Sequence, residues 1–169
     1  MNLFKYKKKE LRPTTSLTKK ILFSWLKPKI INASCLDCFA GSGALGINAA
    51  INYAKYVTLL EKNQHFFLQI KKKIKLLKLK NIEIIKTNTL NWLNKKGFVY
   101  DIIFLDPPFK KNILQKVIFL IEKNNWIRKD SIIYIEKSTY NKNIIIPKKW
   151  FLYKKKTYKN LSFYIYICK

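Results

Sequence analysis

The chain has little acid, almost no arginine, one histidine and three cysteines, and each scarcity removes a class of explanation. No apolar run approaches the ~20 residues needed to cross a bilayer, so a helical membrane protein is excluded. Met1 to Glu10 is basic and lacks the apolar core of a secretory signal, and a cytoplasmic location is expected. Cys35, Cys38 and Cys168 are an odd set from which no disulfide framework can be drawn. Cys35 and Cys38 do spell C-x-x-C. On a strand, however, side chains three apart point to opposite faces and can neither bridge nor share a metal. With no second pair of that kind and His65 as the lone histidine, no zinc, redox or other metal site is expected. The two cysteines read as small core residues, and His65 as a surface helix residue.

Against nine acidic residues stand 35 basic ones, a formal net charge of +26. Such a surface suits a polyanion, because nucleic acids are held by neutralising phosphates. Only Arg12 and Arg128 are arginine, and the chain is equally rich in Ile and Asn, as AT-rich codons would make it. A surface selected for phosphate would more often use the bidentate arginine fork. The charge therefore permits RNA binding without proving it, and Lys154-Lys155-Lys156 reads as a solvated strand end, with contact to phosphates as the alternative.

At 169 residues, nearly half of them apolar, the chain can bury one real core. Apolar runs at Cys35 to Phe39, Tyr56 to Leu60, Ile82 to Ile85, Ile102 to Leu105 and Ile132 to Ile135 read as buried parallel strands. Helical stripes separate them: Phe67, Ile70, Ile74 and Leu77, then Ile113 or Leu114 with Val117, Ile118 and Ile121, with further helices expected over Ala44 to Tyr53 and Thr89 to Lys95. This alternation predicts βαβ units: an α/β fold, doubly wound, mostly parallel, with helices on both faces. Alternation from Leu161 to Cys168, after a strand-like run at Trp150 to Tyr153, predicts an antiparallel pair at the sheet edge. Leu17, Ile21, Trp25 and Leu26 predict a helix ending near Pro28. Residues 1–28 are expected to form a basic segment and helix packed on a domain spanning 29–169, the whole being a monomer.

Gly41, Gly43 and Gly46 form G-x-G-x-x-G between the first strand and its helix, and Glu61 ends the next strand, where a carboxylate can accept hydrogen bonds from ribose hydroxyls. That pattern fits a nucleoside-bearing cofactor, either a dinucleotide or S-adenosylmethionine. Asp37, four residues before Gly41, would place negative charge near the ligand. This favours S-adenosylmethionine, which carries a sulfonium and an ammonium and no pyrophosphate.

Asp106-Pro107-Pro108-Phe109 follows the apolar run Ile102 to Leu105, whose strand is expected beside the first, so that both motifs face one crevice. An exocyclic amine on a base is a poor nucleophile, its lone pair being delocalised into the ring. The Asp106 carboxylate and Pro107 carbonyl can accept its hydrogens and aim the lone pair, Pro107 and Pro108 hold the backbone in shape, and Phe109 can stack on the base. A strand terminator beside a core phenylalanine is the plainer alternative.

Together these residues resemble the amino-methylating class I methyltransferases, and more closely the RsmD family of 16S rRNA guanine-N2 methyltransferases. The marks are Arg12-Pro13-Thr14-Thr15, Leu22-Phe23-Ser24-Trp25-Leu26, Cys35 to Gly46 and Asp101 to Phe109. The resemblance implies a seven-stranded Rossmann-like sheet, S-adenosylmethionine as donor, and a guanine amine of small-subunit rRNA, free or in an assembling particle, as acceptor. By motif it implies a cofactor site of Asp37, Phe39, Ala40, Gly41, Ser42 and Gly43, with Glu61 at the ribose and Asn88 near the adenine. It also implies that Arg12, Thr14 and Thr15 lie over the active site and contact substrate. The chain departs from the family before Leu11, where only Met1 to Glu10 stand in place of a longer strand region, and at Leu17-Thr18-Lys19-Lys20. The competing readings are a nicotinamide oxidoreductase, an N6-adenine DNA methyltransferase and a non-catalytic RNA-binding assembly protein.

Overall fold

The computed structural model describes residues 16–108, 112–140 and 144–169. Arg12, Thr14, Thr15 and Phe109, for which roles are expected, lie outside these residues. Seven strands, β1 (Ser34–Asp37), β2 (Tyr56–Glu61), β3 (Ile82–Lys86), β4 (Ile102–Leu105), β5 (Ile132–Ser138), β6 (Trp150–Tyr158) and β7 (Leu161–Cys168), form one sheet in the order β3-β2-β1-β4-β5-β7-β6. Strands β1 to β5 are parallel, and β7 runs antiparallel to both β5 and β6. Among the described residues five helices, α1 (Ser16–Ile30), α2 (Ala44–Ile51), α3 (Gln64–Leu76), α4 (Thr89–Leu93) and α5 (Ile113–Lys123), cover it.

Strand parity sorts the core into two layers. On one face Cys35, Val57, Leu59, Ile102, Phe104 and Tyr134 pack with Leu22 and Leu26 of α1, Leu45 and Ala49 of α2 and Ile70 of α3. On the other, Leu36, Leu60, Ile103, Leu105 and Ile133 pack with Leu93 of α4 and Val117, Ile118 and Ile121 of α5. Cys35 and Cys38 fall in different layers, both buried and free, as strand parity requires.

Several details differ from expectation. Helix α1 passes through Pro28 to Ile30, because a proline near the end of a helix removes one hydrogen bond while burial of Ile30 holds the last turn. Its buried stripe is Thr18, Leu22, Leu26 and Ile30, with Ile21 and Trp25 only half-buried. Leu77 caps α3 and is exposed, α4 stops at Leu93, and α2 stops at Ile51, before Tyr53 turns left-handed at φ 63°. Lys154 to Lys156 sit inside β6, which continues to Tyr158; pairing with β7, past a bulge between Leu152 and Lys154, carries the strand through its lysines.

Candidate active site

The direction in which successive strands are added reverses between β1 and β4, which are adjacent and parallel, and this opens a crevice at their carboxyl ends. Three of the four glycines stand in the β1–α2 turn or the first turn of α2. Gly41 and Gly43 have φ of 53° and 80°, a region that side chains disfavour, and this lets the chain reverse before α2 begins. Gly46 has a different role: a Cβ there would stand 2.8 Å from Leu59 Cγ, so its bareness lets α2 lie against β2.

Carboxylates hold this turn open. Asp37, 1% exposed, accepts hydrogen bonds from the Phe39 N–H (3.3 Å) and the Gly46 N–H (3.0 Å), fastening the strand end to the helix. Burial pushes its carboxyl up to about 6; the two main-chain bonds oppose the rise and the Glu61 charge adds to it. The negative charge of Asp37 therefore reaches the crevice as a field rather than by contact. Glu61 accepts from the Gly41 N–H (2.8 Å) and the Asn63 N–H (2.7 Å), coupling the end of β2 to the glycine turn. Each of its oxygens has a second lone pair left for a hydroxyl. Asn88 is exposed at the end of β3 and caps α4, its side-chain oxygen accepting from the Leu90 and Asn91 N–H groups. Gly43 donates to the Ala40 carbonyl at 2.7 Å. Thus Asp37, Phe39, Ala40, Gly41, Ser42, Gly43 and Glu61 form one connected unit, with Asn88 on the next strand end. Asp106 and Pro107, half-buried, and Pro108, exposed, follow β4 on the other side of the switch point.

Three residues in the site were not anticipated. Lys73 of α3 donates to the Ser42 carbonyl (2.9 Å), and the Thr89 hydroxyl donates to the Cys38 carbonyl, so that both neighbouring helices brace the turn. Glu136, 6% exposed, lies on β5 one position beyond the Leu105–Ile135 pair and accepts from the Tyr134 hydroxyl (3.1 Å). Burial, reinforced by the charges of Glu136 and Asp106, holds the Tyr134 phenol well above its usual range. A signal was available for Glu136: Asp37, Glu61, Asp106 and Glu136 all end or follow apolar strand runs. Four of only nine acidic residues thus gather at one end of the sheet in a chain of net charge +26.

Asp101, at the start of the Asp101 to Phe109 motif, is at the opposite end. It accepts from the Ser34 N–H (2.9 Å) and hydroxyl (2.8 Å) and pairs with Arg128 (2.8 Å), which ties β4 to β1. Although burial alone would raise its carboxyl, these bonds outweigh it and hold the group below its usual range. It lines a cavity of about 260 Å³ with Lys29, Ala33 and Asp130, remote from the crevice. Among the described residues no cluster of metal-ligating side chains occurs and no helix is long and apolar enough to cross a membrane.

The fold recurs in known proteins. A family model described as "Conserved hypothetical protein 95" matches residues 2–167. The chain is 52% identical to ribosomal RNA small subunit methyltransferase D of Buchnera aphidicola from Acyrthosiphon pisum, covering 94% of this chain and 83% of that protein. It is 38% identical to the Escherichia coli K12 protein of the same name, over 92% and 79% of the two chains. Among solved structures, a putative methyltransferase from Escherichia coli superposes with a TM-score of 0.89 at 36% identity, covering 93% of this chain and 88% of that one. A putative methylase from Haemophilus influenzae does so with 0.82 at 38% identity, over 92% and 99%. On sequence, fold and extent of match, the chain belongs to the RsmD family of methyltransferases.

Proposed function

We propose that this protein transfers a methyl group from S-adenosylmethionine to the exocyclic N2 amine of a guanine in 16S rRNA. The observation that carries the reading is acid at the switch-point end of the sheet: a protein of net charge +26 bonds Asp37 and Glu61 to the glycine-rich segment and places Asp106 and Glu136 at the same end of β4 and β5. Such a site attracts a sulfonium and an ammonium, whereas the pyrophosphate of a dinucleotide would meet the field of Asp37. The residues present therefore fit S-adenosylmethionine, with Gly41 and Gly43 at its amino-acid end, Glu61 at its ribose and Asn88 near its adenine. When bound, it supplies an electrophilic methyl group on sulfur. The names of the relatives, which specify small-subunit rRNA, support the acceptor.

The chain's own contribution is alignment. Asp106 and the Pro107 carbonyl accept the two hydrogens of the amine and turn its lone pair toward the donor, while Phe109 stacks on the base. With the donor bound, Asp106 and the Pro107 carbonyl would hold the amine in line with the methyl group, and the surplus amine proton would pass to solvent. Arg12, Thr14 and Thr15 hold substrate over the crevice. The protein acts as a cytoplasmic monomer on rRNA or an assembling small subunit, the 1–28 segment packing on the 29–169 domain. An RNA loop or end presents splayed bases, whereas an adenine in duplex DNA would have to be flipped out.

Mass spectrometry of nucleosides from small-subunit rRNA treated with the protein and donor tests this reading. N2-methylguanosine is the expected product. N6-methyladenosine would move the acceptor to adenine, and cofactor binding without any methylated nucleoside would favour a non-catalytic RNA-binding protein.

A further inference from the structure

We propose that the carboxyl half of edge strand β6, Tyr153 to Tyr158, is the track along which the RNA flanking the target base is held. This rests on the functional reading above. The cofactor residues Gly41, Glu61 and Asn88 occupy the ends of β1, β2 and β3, and Asp106 follows β4. The acceptor is therefore left the side of the sheet formed by β5, β7 and β6. Because β6 and β5 are each antiparallel to β7, β6 runs parallel to β5, and its carboxyl half lies at the same end of the sheet as Asp106. Lys156 pairs with Phe163, which pairs with Glu136, the residue just beyond the Leu105–Ile135 pair. Three strand spacings of ~4.8 Å put Lys156 ~14 Å from the strand that bears Asp106.

The chemistry of this edge is that of a single-strand nucleic-acid surface, cations interleaved with aromatic rings. Tyr153 and Tyr158 are 58% and 41% exposed. The Lys154 ammonium stands 5.4 Å from the Tyr153 ring and 5.7 Å from the Trp25 ring, Lys159 lies 5.5 Å from Tyr158, and Lys155 and Lys137 lie 5.6 and 5.5 Å from Tyr164. No acidic residue occurs from Trp150 to the end of the chain. Lysine on an edge strand also guards against edge-to-edge pairing. That explains the charge but not the exposed tyrosines among it. Lys71, Lys72 and Lys75 of α3 are also exposed but stand on the cofactor side, so they serve as a control for general lysine enrichment.

The test compares two triple variants of equal charge change, Lys154→Gln/Lys155→Gln/Lys156→Gln on β6 and Lys71→Gln/Lys72→Gln/Lys75→Gln on α3, in steady-state methylation of small-subunit rRNA across a salt series. The β6 set is expected to lower the slope of log affinity against log salt by about 2 to 3 and to raise the RNA KM on the order of tenfold or more, with S-adenosylmethionine affinity unchanged. The α3 set is expected to have a much smaller effect. Arginine at the three β6 positions should restore the RNA KM, which a folding defect would not allow. Equal effects of the two sets, no effect of the β6 set, or no rescue by arginine overturns the proposal. If the unmodified protein methylates no rRNA, the functional reading itself fails, a separate and visible result.

Discussion

Gly46→Ala sets two effects of opposite sign against each other. Gly46 lies in α2, with φ outside the left-handed region, so alanine there should gain about 0.8–1 kcal/mol of helix propensity. The added Cβ, however, would stand 2.8 Å from Leu59 Cγ and 3.0 Å from both Leu59 methyls. Leu59 is fully buried on β2, so its side chain has nowhere to turn and α2 must lift by several tenths of an ångström. Overpacking of this kind costs about 1–3 kcal/mol. The variant should therefore be less stable by about 0–2 kcal/mol, read as a lowered Tm or denaturation midpoint. Because the Gly46 N–H also anchors Asp37, lifting α2 loosens the turn, and cofactor affinity should fall with stability. A double-mutant cycle with Leu59→Ala isolates the contact: the pair should be less destabilised than the sum of the singles, by about 1 kcal/mol or more. A Gly46→Ala protein stabilised by the full propensity gain, with cofactor affinity intact and no coupling to Leu59, would refute the reasoning.

The Asp37 carboxyl, raised from 3.8 to about 6, contributes stability that is fully present below pH 4 and is lost as the pH rises through 6. The shift corresponds to about 3 kcal/mol, and Asp37→Asn should flatten the stability–pH curve over that interval; an unchanged curve would remove Asp37 as its source. Glu61→Gln turns an amide N–H toward one of the two main-chain N–H groups the carboxylate now holds, so cofactor Kd should rise about tenfold, measured by calorimetry, with Tm falling only slightly. Asn88→Ala removes the cap of α4 and should cost about 1 kcal/mol in thermal unfolding; a loss within error would mean that Thr89, bonded to the Cys38 carbonyl, suffices to hold the helix start.

Much of the sheet was legible because buried parallel strands are largely apolar, but not all of its bounds: β1 stops at Asp37, short of Phe39, and β5 runs past Ile135 through Glu136 to Ser138, where it pairs with β7. The fate of the C-x-x-C pair followed from strand alternation, which the Cys38 N–H bond to the Phe104 carbonyl carries one residue past β1. The misreadings share a cause, namely that the deciding contact is remote in sequence. Ile21 and Trp25 are as apolar as Leu22 and Leu26, and only the packed sheet selects the stripe of α1. Lys154 to Lys156 look like a strand end until β7 is seen to pair through them. Asp101 belongs to the same short motif as Asp106, yet a four-residue strand of ~13 Å separates the two ends of the sheet. For the site, the glycine turn, Glu61 and Asp106 were readable from spacing. Lys73 and Thr89 were not, since their roles depend on which helices become neighbours, whereas Glu136 carried the signal of an acid after an apolar run and was still missed.

The most direct test of the central claim is methyl transfer from labelled S-adenosylmethionine to small-subunit rRNA, comparing the unmodified protein with Asp106→Ala and measuring cofactor affinity of both. The account predicts label on a guanine N2 with the unmodified protein and a loss of at least about a hundredfold in turnover with Asp106→Ala, while cofactor affinity stays within a few-fold. Undiminished transfer by the Asp106→Ala protein would contradict it.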